Sequence, residues 1–170
     1  ATTEIYTLSL HDALPIYLDD IDSYGHDIET PCLLTEAAEA LGDPEVIGRC
    51  RKVALELADA SLKEGINPMG AMMYERHKDK IRKDASWWCQ AETVVGCINA
   101  WQLTGEQSYL DSAVRTWNFI KSRMIDKEYG EWFRTVLEDG TPRYKEPKAS
   151  MWNCPYHNSR MGFEIDTRLK

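Results

Sequence analysis

Apolar residues along this chain fall into two alternating kinds of helical stretch. In one kind, Ile47, Cys50, Val53, Leu57 and Leu62 recur every three or four positions up to Gly65, with charged residues between them. That is the pattern of a helix wet on one side. Leu110, Ala113, Val114, Trp117, Ile120 and Met124 repeat it, opposite a face carrying Arg115, Lys121 and Arg123. In the other kind the apolar residues run nearly all round. Trp88, Val94, Val95, Cys97, Ile98 and Trp101 belong to a stretch that stops at Gly105, as residues 36–41 stop at Gly42-Asp43-Pro44. The two glycine stops are 63 residues apart. Each wet-sided helix is followed by a glycine-led apolar stretch, residues 70–75 and then residues 130–136, offset by 60. These read as short strands, the second with a turn at Asp139-Gly140 beyond it. The unit is therefore helix, short turn, helix, hairpin. An inner helix buried on both sides and an outer helix with one wet side is what helix pairs produce when they wrap into a closed ring or solenoid. The predicted fold class is all-α with short β-hairpins between helix pairs.

The first residues stand outside the pattern. Residues 1–16, Ala1 to Ile16, read as an in-frame translation of a common short-read sequencing adapter, down to the first base of the Tyr17 codon. They are set aside as a fusion scar would be, and His11 has no functional reading. The native part is expected to be residues 17–170, a gene fragment cut on its 5′ side, long enough for one modest domain or part of a larger one. An apolar fraction of 43% and a charged fraction of 28% are those of a globular protein. No apolar run approaches the ~20 residues of a membrane span. A net charge of −8 with no Lys/Arg cluster argues against a nucleic-acid partner. The five cysteines, Cys32, Cys50, Cys89, Cys97 and Cys154, form no Cys-x-x-Cys pair, which predicts reduced, mostly buried thiols and a cytoplasmic location. Zinc on Cys154 and His157 lacks further ligands at suitable spacing, so no metal is expected.

Three segments carry the candidate chemistry: Tyr24-Gly25-His26-Asp27-Ile28-Glu29, Trp87-Trp88-Cys89-Gln90-Ala91-Glu92 and Trp152-Asn153-Cys154-Pro155-Tyr156-His157-Asn158-Ser159-Arg160. Glu29 and Glu92 are again 63 residues apart, which puts an acid at the same position near the start of successive inner helices. His157-Asn158 enters the third such position after a longer insertion. Equivalent positions of successive units face one end of a ring, so His26, Glu29, Trp88, Glu92, Trp152 and His157 are expected to line one mouth. Histidine suits proton transfer near neutral pH. By contrast, His77 sits in a charged turn and reads as solvated, while Trp87, Trp101, Trp117 and Trp132 read as core. Glu29 and Glu92 have an alternative reading as helix N-terminal charges. Arg160 contacts either a substrate or an acid. Pro31 requires the first turn of its helix.

Gly-His-Asp-Ile-Glu at 25–29, Trp-Trp-Cys-Gln-Ala-Glu at 87–92, Gly-Glu-Trp-Phe at 130–133 and Trp-Asn-Cys-Pro-Tyr-His-Asn-Ser-Arg at 152–160 resemble the motifs of the N-acylglucosamine 2-epimerase superfamily, most of all its cellobiose 2-epimerase branch. The resemblance covers essentially everything after Ile16. It implies an (α/α)6 barrel of which this chain is roughly the C-terminal half, lacking an arginine and a further histidine that family members place in the site. It implies epimerisation at C2 of a reducing-end sugar, with His26 and His157 as the catalytic acid–base pair. Glu29 and Glu92 hold sugar hydroxyls or orient an imidazole, and Trp88 and Trp152 offer flat faces to pyranose rings. The implied partner is a small carbohydrate, with no cofactor, no nucleic acid and no membrane; oligomeric state stays open. The chain departs from the family at Cys32, where a tryptophan is usual, and at Cys89, where proline or an aliphatic residue is commoner.

The favoured substrate is cellobiose or a related β-linked disaccharide. An N-acylglucosamine 2-epimerase or an aldose–ketose isomerase of the same superfamily uses the same histidines. From another class, a sugar-binding or hydrolytic α/α barrel uses Glu29 or Glu92 as acid and the histidines as ligands. Half a ring leaves inner helices uncovered, so residues 17–170 alone are expected to be inactive and prone to aggregate.

Overall fold

The structure is a computed structural model that describes residues 21–170; the adapter-like segment 1–16 lies outside the described residues. The glycine stops mark real helix ends. Inner helices α1 (Tyr24–Leu41) and α3 (Trp87–Thr104) both run 18 residues, with starts and ends 63 residues apart. Each ends on a left-handed glycine at φ 75°, where glycine has no Cβ to clash. Gly42 N–H returns to the Ala38 carbonyl at 3.1 Å and Gly105 N–H to that of Trp101 at 2.7 Å. Outer helix α2 (Pro44–Gly65) opens with the Asp43 carboxylate accepting from the Glu45 and Val46 amides, with Pro44 in the first turn. Outer helix α4 (Gln107–Phe119) continues into a π-helical turn, Ile120–Met124, and α5 (Tyr156–Arg168) is the third inner helix.

Helix α3 is the centre of the fold. It packs against α1, α4 and α5 and is buried at every position from 87 to 100 except Trp88. Gly96 lets α1 approach, since a Cβ there would collide with the Ile28 carbonyl oxygen. This is the all-α, helix-pair architecture of part of an (α/α)6 barrel. Helix α5 buries only Met161 and leaves Phe163 exposed.

The outer helices have the expected period; on α2 the buried line is shifted in phase, while on the second outer helix the expected Ala113, Ile120 and Met124 are buried and Val114 and Trp117 are not. On α2 the buried line is Ala54, Ala58, Ser61 and Gly65, while Val53 is exposed. On α4 it is Tyr109, Ala113, Thr116 and Phe119, while Val114 and Trp117 are exposed. Trp117 is therefore not core; the Lys121 ammonium lies 5.8 Å from its ring centre. On α2 the line is made of small side chains, which let the helix approach its neighbours closely; on α4 the large rings of Tyr109 and Phe119 are buried with Ala113 and Thr116 between them. The Thr116 hydroxyl, fully buried, donates to the Gly70 carbonyl at 2.8 Å. Trp87 is buried, and Trp101 and Trp132 are half-buried against core clusters.

The strands are shorter than expected and differently placed. β1 (Ile21–Asp22), β2 (Glu75–His77) and β3 (Lys80–Arg82) form an antiparallel sheet in that order. Residues 70–74 contribute only a Met72 bridge to Ile66. His77 thus ends a strand and is exposed, and the tight turn after it carries Lys78 at φ 54°. In the second unit β5 (Thr135–Val136) pairs with β4 (Ala85–Ser86) in register Ala85 to Val136 and Ser86 to Thr135. The Asp139-Gly140 turn forms, with Gly140 at φ 83°, but its returning arm makes only the Val136 to Pro142 bridge. The β4–β5 pairing was not foreseen: strands of two residues carry no periodic signal. Pro31 is the eighth residue of α1 rather than in its first turn. The helix begins at Tyr24, well before the segment that its apolar pattern marks.

Candidate active site

The starts of the three inner helices converge. Tyr24, Trp87 and Tyr156 open α1, α3 and α5, and the second or third residue of each meets the others. The Trp88 ring lies 4.7 Å from that of His26 and 5.6 Å from that of His157, centre to centre. Gly25 makes this possible: a Cβ there would stand 2.5 Å from Trp88 Cη2 and 2.6 Å from Cys89 Sγ. The glycine of the first motif is therefore the seat of the tryptophan of the second.

A cavity of about 510 Å³ opens over this junction, bordered by His26, Glu29, Trp88, Trp152 and His157 among others. Its volume is in the range of small-molecule sites. Five of the six predicted site residues thus share it. Trp152 is largely exposed at its edge, on a loop tied down by Asn153, whose side-chain amide donates to the Pro147 carbonyl at 3.2 Å, and by Lys148, which bonds Asp126 and the Gly130 carbonyl. Glu92 is the sixth, and it lies below the cavity wall with no exposed surface. One of its oxygens meets His157 Nδ1 at 2.7 Å, the other an Arg160 guanidinium nitrogen at 2.5 Å.

Glu29 and Glu92 are each the sixth residue of their helix, past the first turn where a helix dipole favours acids, so the end-charge reading fails on position. His157 is the second residue of α5; counted from the helix start its counterparts are Gly25 and Trp88, one turn before the acidic position, which α5 fills with Met161. The longer insertion before α5 shifts the register that the sequence suggested.

The two imidazoles are held differently. A carboxylate only accepts, so His157 Nδ1 donates to Glu92 and a neutral His157 carries its lone pair on Nε2. His26 Nδ1 meets the Ser23 hydroxyl at 2.7 Å, and a hydroxyl serves as donor or acceptor. Each ring is therefore anchored through Nδ1, and Nε2 has no partner among the described residues. Half-buried Glu29 is pushed to a higher pKa, first by burial and then by the Glu92 charge, against the pull of His157, His26 and Arg160. It keeps its proton more readily than an ordinary glutamate and can donate to an oxygen. Glu29, Glu92 and His157 also bring ligand-type atoms within 4.8 Å of one another. Both Glu92 oxygens are already engaged, one of them by a guanidinium, which disfavours a cation there.

Several residues at the cavity were not anticipated. Arg134 and Thr135 reach it because β5 pairs with β4, with Trp87 N–H on the Arg134 carbonyl at 3.0 Å. Arg143 reaches it from beyond the Asp139-Gly140 turn, paired with Asp84 at 2.7 Å. No motif marked them; chain pairing brings them in. Gln90, quoted within the second motif, is fully buried and clamps the Met72 backbone, accepting from its N–H and donating to its carbonyl, both at 2.8 Å. Arg160 pairs with an acid, as one of its two readings had it. Cys32 is fully buried, with Arg168 at 3.1 Å and Glu36 at 3.3 Å from its sulfur. Burial pushes its thiol up to about 12. Cys89 and Cys97 are also buried, Cys50 is half-buried and Cys154 is exposed, and all five are free thiols. Among the described residues no helix is long and apolar enough to cross a membrane.

The sequence model of the N-acylglucosamine 2-epimerase (GlcNAc 2-epimerase) family matches residues 19–158. A cellobiose 2-epimerase of Ruminococcus albus is 40% identical over 169 residues, covering 92% of this chain and 42% of its own length. One of Bacteroides fragilis is 42% identical over 145 residues, covering 84% and 37% respectively. The crystal structure of a sugar epimerase from a ruminal bacterium superposes with a TM-score of 0.83 at 40% identity, over 88% of this chain and 38% of that one. The chain therefore spans about two-fifths of the length of the relatives it matches. With the family match running through all three helix starts that meet at the cavity, the chain belongs to the N-acylglucosamine 2-epimerase family.

Proposed function

We propose that the protein carrying this chain is a carbohydrate 2-epimerase acting on the reducing-end sugar of cellobiose or a related β-linked disaccharide, and that residues 17–170 supply the C-terminal part of its barrel. One observation carries the reading. His26 and His157 border a single cavity against the same indole, each with Nδ1 engaged and Nε2 without a partner among the described residues.

Epimerisation at C2 opens the sugar to its aldehyde, removes the proton alpha to the carbonyl, and returns a proton to the other face of the enediol. Neutral His157 takes the proton on Nε2, and the imidazolium that forms is stabilised by Glu92. Protonated His26 delivers a proton to the opposite face, and the Ser23 hydroxyl reorients to suit either state of the ring. In the reverse direction the roles exchange. Glu29, inclined to hold its proton, donates to a sugar oxygen, and Trp88 and Trp152 offer ring faces to the pyranoses. Glu92 has no surface for a sugar and serves as the orienting acid.

The test is incubation of the full-length polypeptide with cellobiose in D2O, following C2 by NMR. Deuterium at C2 with a mannose-configured reducing end is expected, with loss of exchange in His26→Asn and His157→Asn. A ketose product instead assigns the isomerase reaction. Hydrolysis without exchange, or no exchange with cellobiose, glucose, mannose or N-acetylglucosamine, overturns the proposal.

A further inference from the structure

Glu92 is a carboxylate with no exposed surface, and a buried charge persists only where it is compensated. The groups facing it are His157 and Arg160 on α5, which bond its two oxygens, and Glu29 on α1, whose like charge opposes it. His26 lies across the same cavity. If His157 were the sole compensating cation, the imidazole would have to stay protonated, and a protonated imidazole cannot accept a proton from carbon. Arg160 removes that constraint. Its side chain is 13% exposed and stands one helical turn after His157, so both reach α3 from the same face of α5. Around it lie Cys32, whose sulfur is 3.8 Å from the guanidinium, and Glu164.

We infer that Arg160 is a positioning residue: by pairing with the far oxygen of Glu92 it supplies the permanent positive charge that lets Glu92 stay ionised while His157 is neutral, and so sets His157 up as a base through its Nε2. The inference rests on the proposed acid–base role of His157. It assigns Arg160 no contact with the sugar. The guanidinium does not titrate in the working range, so the pair it makes is fixed across the pH range in which histidine changes charge.

The experiment replaces Arg160 in the full-length polypeptide, with two readouts. In Arg160→Gln the acid limb of the kcat/KM profile moves to higher pH, because the Glu92 charge now favours the protonated imidazole. NMR titration of the His157 ring protons shows the same displacement without requiring turnover. Arg160→Lys keeps the charge and holds the limb near its original place while lowering kcat, since the geometry of the fork is lost. A neutral pair, Arg160→Gln with Glu92→Gln, brings the midpoint back down. A uniform fall in kcat/KM with an unmoved limb and an unmoved His157 titration marks a merely structural role and overturns the inference. If Arg160→Gln does not fold, the lysine variant decides, because a displaced limb there overturns it equally. If the protein epimerises nothing, the functional reading fails, and the His157 titration still tests the Arg160 coupling.

Discussion

Replacing Gly25 by alanine adds one methyl group at the point where α1 meets the site. The new Cβ stands 2.5 Å from Trp88 Cη2, 2.7 Å from Cζ3 and 2.6 Å from Cys89 Sγ. Carbon contacts are comfortable at roughly 3.5 Å, so the indole must retreat by about 1 Å. Its ring is already packed on His26 and His157, and both imidazoles are carried with it. A displacement of this size in a site of positioned groups costs on the order of 100-fold in kcat/KM. Overpacking costs about 1–3 kcal/mol, against a helix-propensity gain for alanine of about 1 kcal/mol, leaving a net loss of up to about 2 kcal/mol. Gly48 on α2 is the matched control, with nothing within 4 Å of its added Cβ. There alanine contributes only propensity and stabilises by about 0.5–1 kcal/mol. Urea unfolding and C2 exchange kinetics on both variants of the full-length polypeptide give opposite signs for the two glycines. Stabilisation of both, with kcat/KM of Gly25→Ala unchanged, would refute the close seat of Trp88 on α1.

Glu92→Gln keeps the shape of the side chain but removes the acceptor charge that fixes His157, and kcat falls on the order of 10³–10⁴-fold. Arg160 then lacks its buried partner, and urea unfolding reports a loss of about 3 kcal/mol. Glu29 has its folded pKa raised by burial and by Glu92. Its contribution to stability is therefore full below the unfolded value and is lost as pH rises through the folded one. Glu29→Gln, which cannot ionise, is expected to raise the urea midpoint at about pH 7 and not at about pH 4, while lowering activity; a gain of equal size at both pH values refutes the assignment. Thiol labelling read by mass spectrometry should reach exposed Cys154 first and half-buried Cys50 more slowly. Cys32 and Cys97, both pushed up to about 12, and fully buried Cys89 react only on unfolding. Fast labelling of Cys32 contradicts its burial under Arg168.

The period of the architecture is legible in the amino-acid order. Glycines at 42 and 105 set the helix ends, because only a residue without a Cβ closes a helix cheaply in the left-handed conformation, and their spacing reappears in both ends of α1 and α3. The sequence also singled out His26, Glu29, Trp88, Trp152 and His157 as candidates, since those residue types stand in recognisable motifs, and the five border one cavity. Tertiary structure alone placed Ala54, Ala58 and Thr116, rather than Val53, Val114 and Trp117, on the inward side of the outer helices, since close approach of a neighbour and not hydrophobicity selects them. It alone decided the place of Glu92, which a motif marks as acidic but only the structure shows buried under His157 and Arg160 with no exposed surface. The same holds for Arg134 and Arg143. Arg134 enters through pairing between strands two residues long and Arg143 from beyond the Asp139-Gly140 turn, contacts made across the chain that leave no local pattern to read.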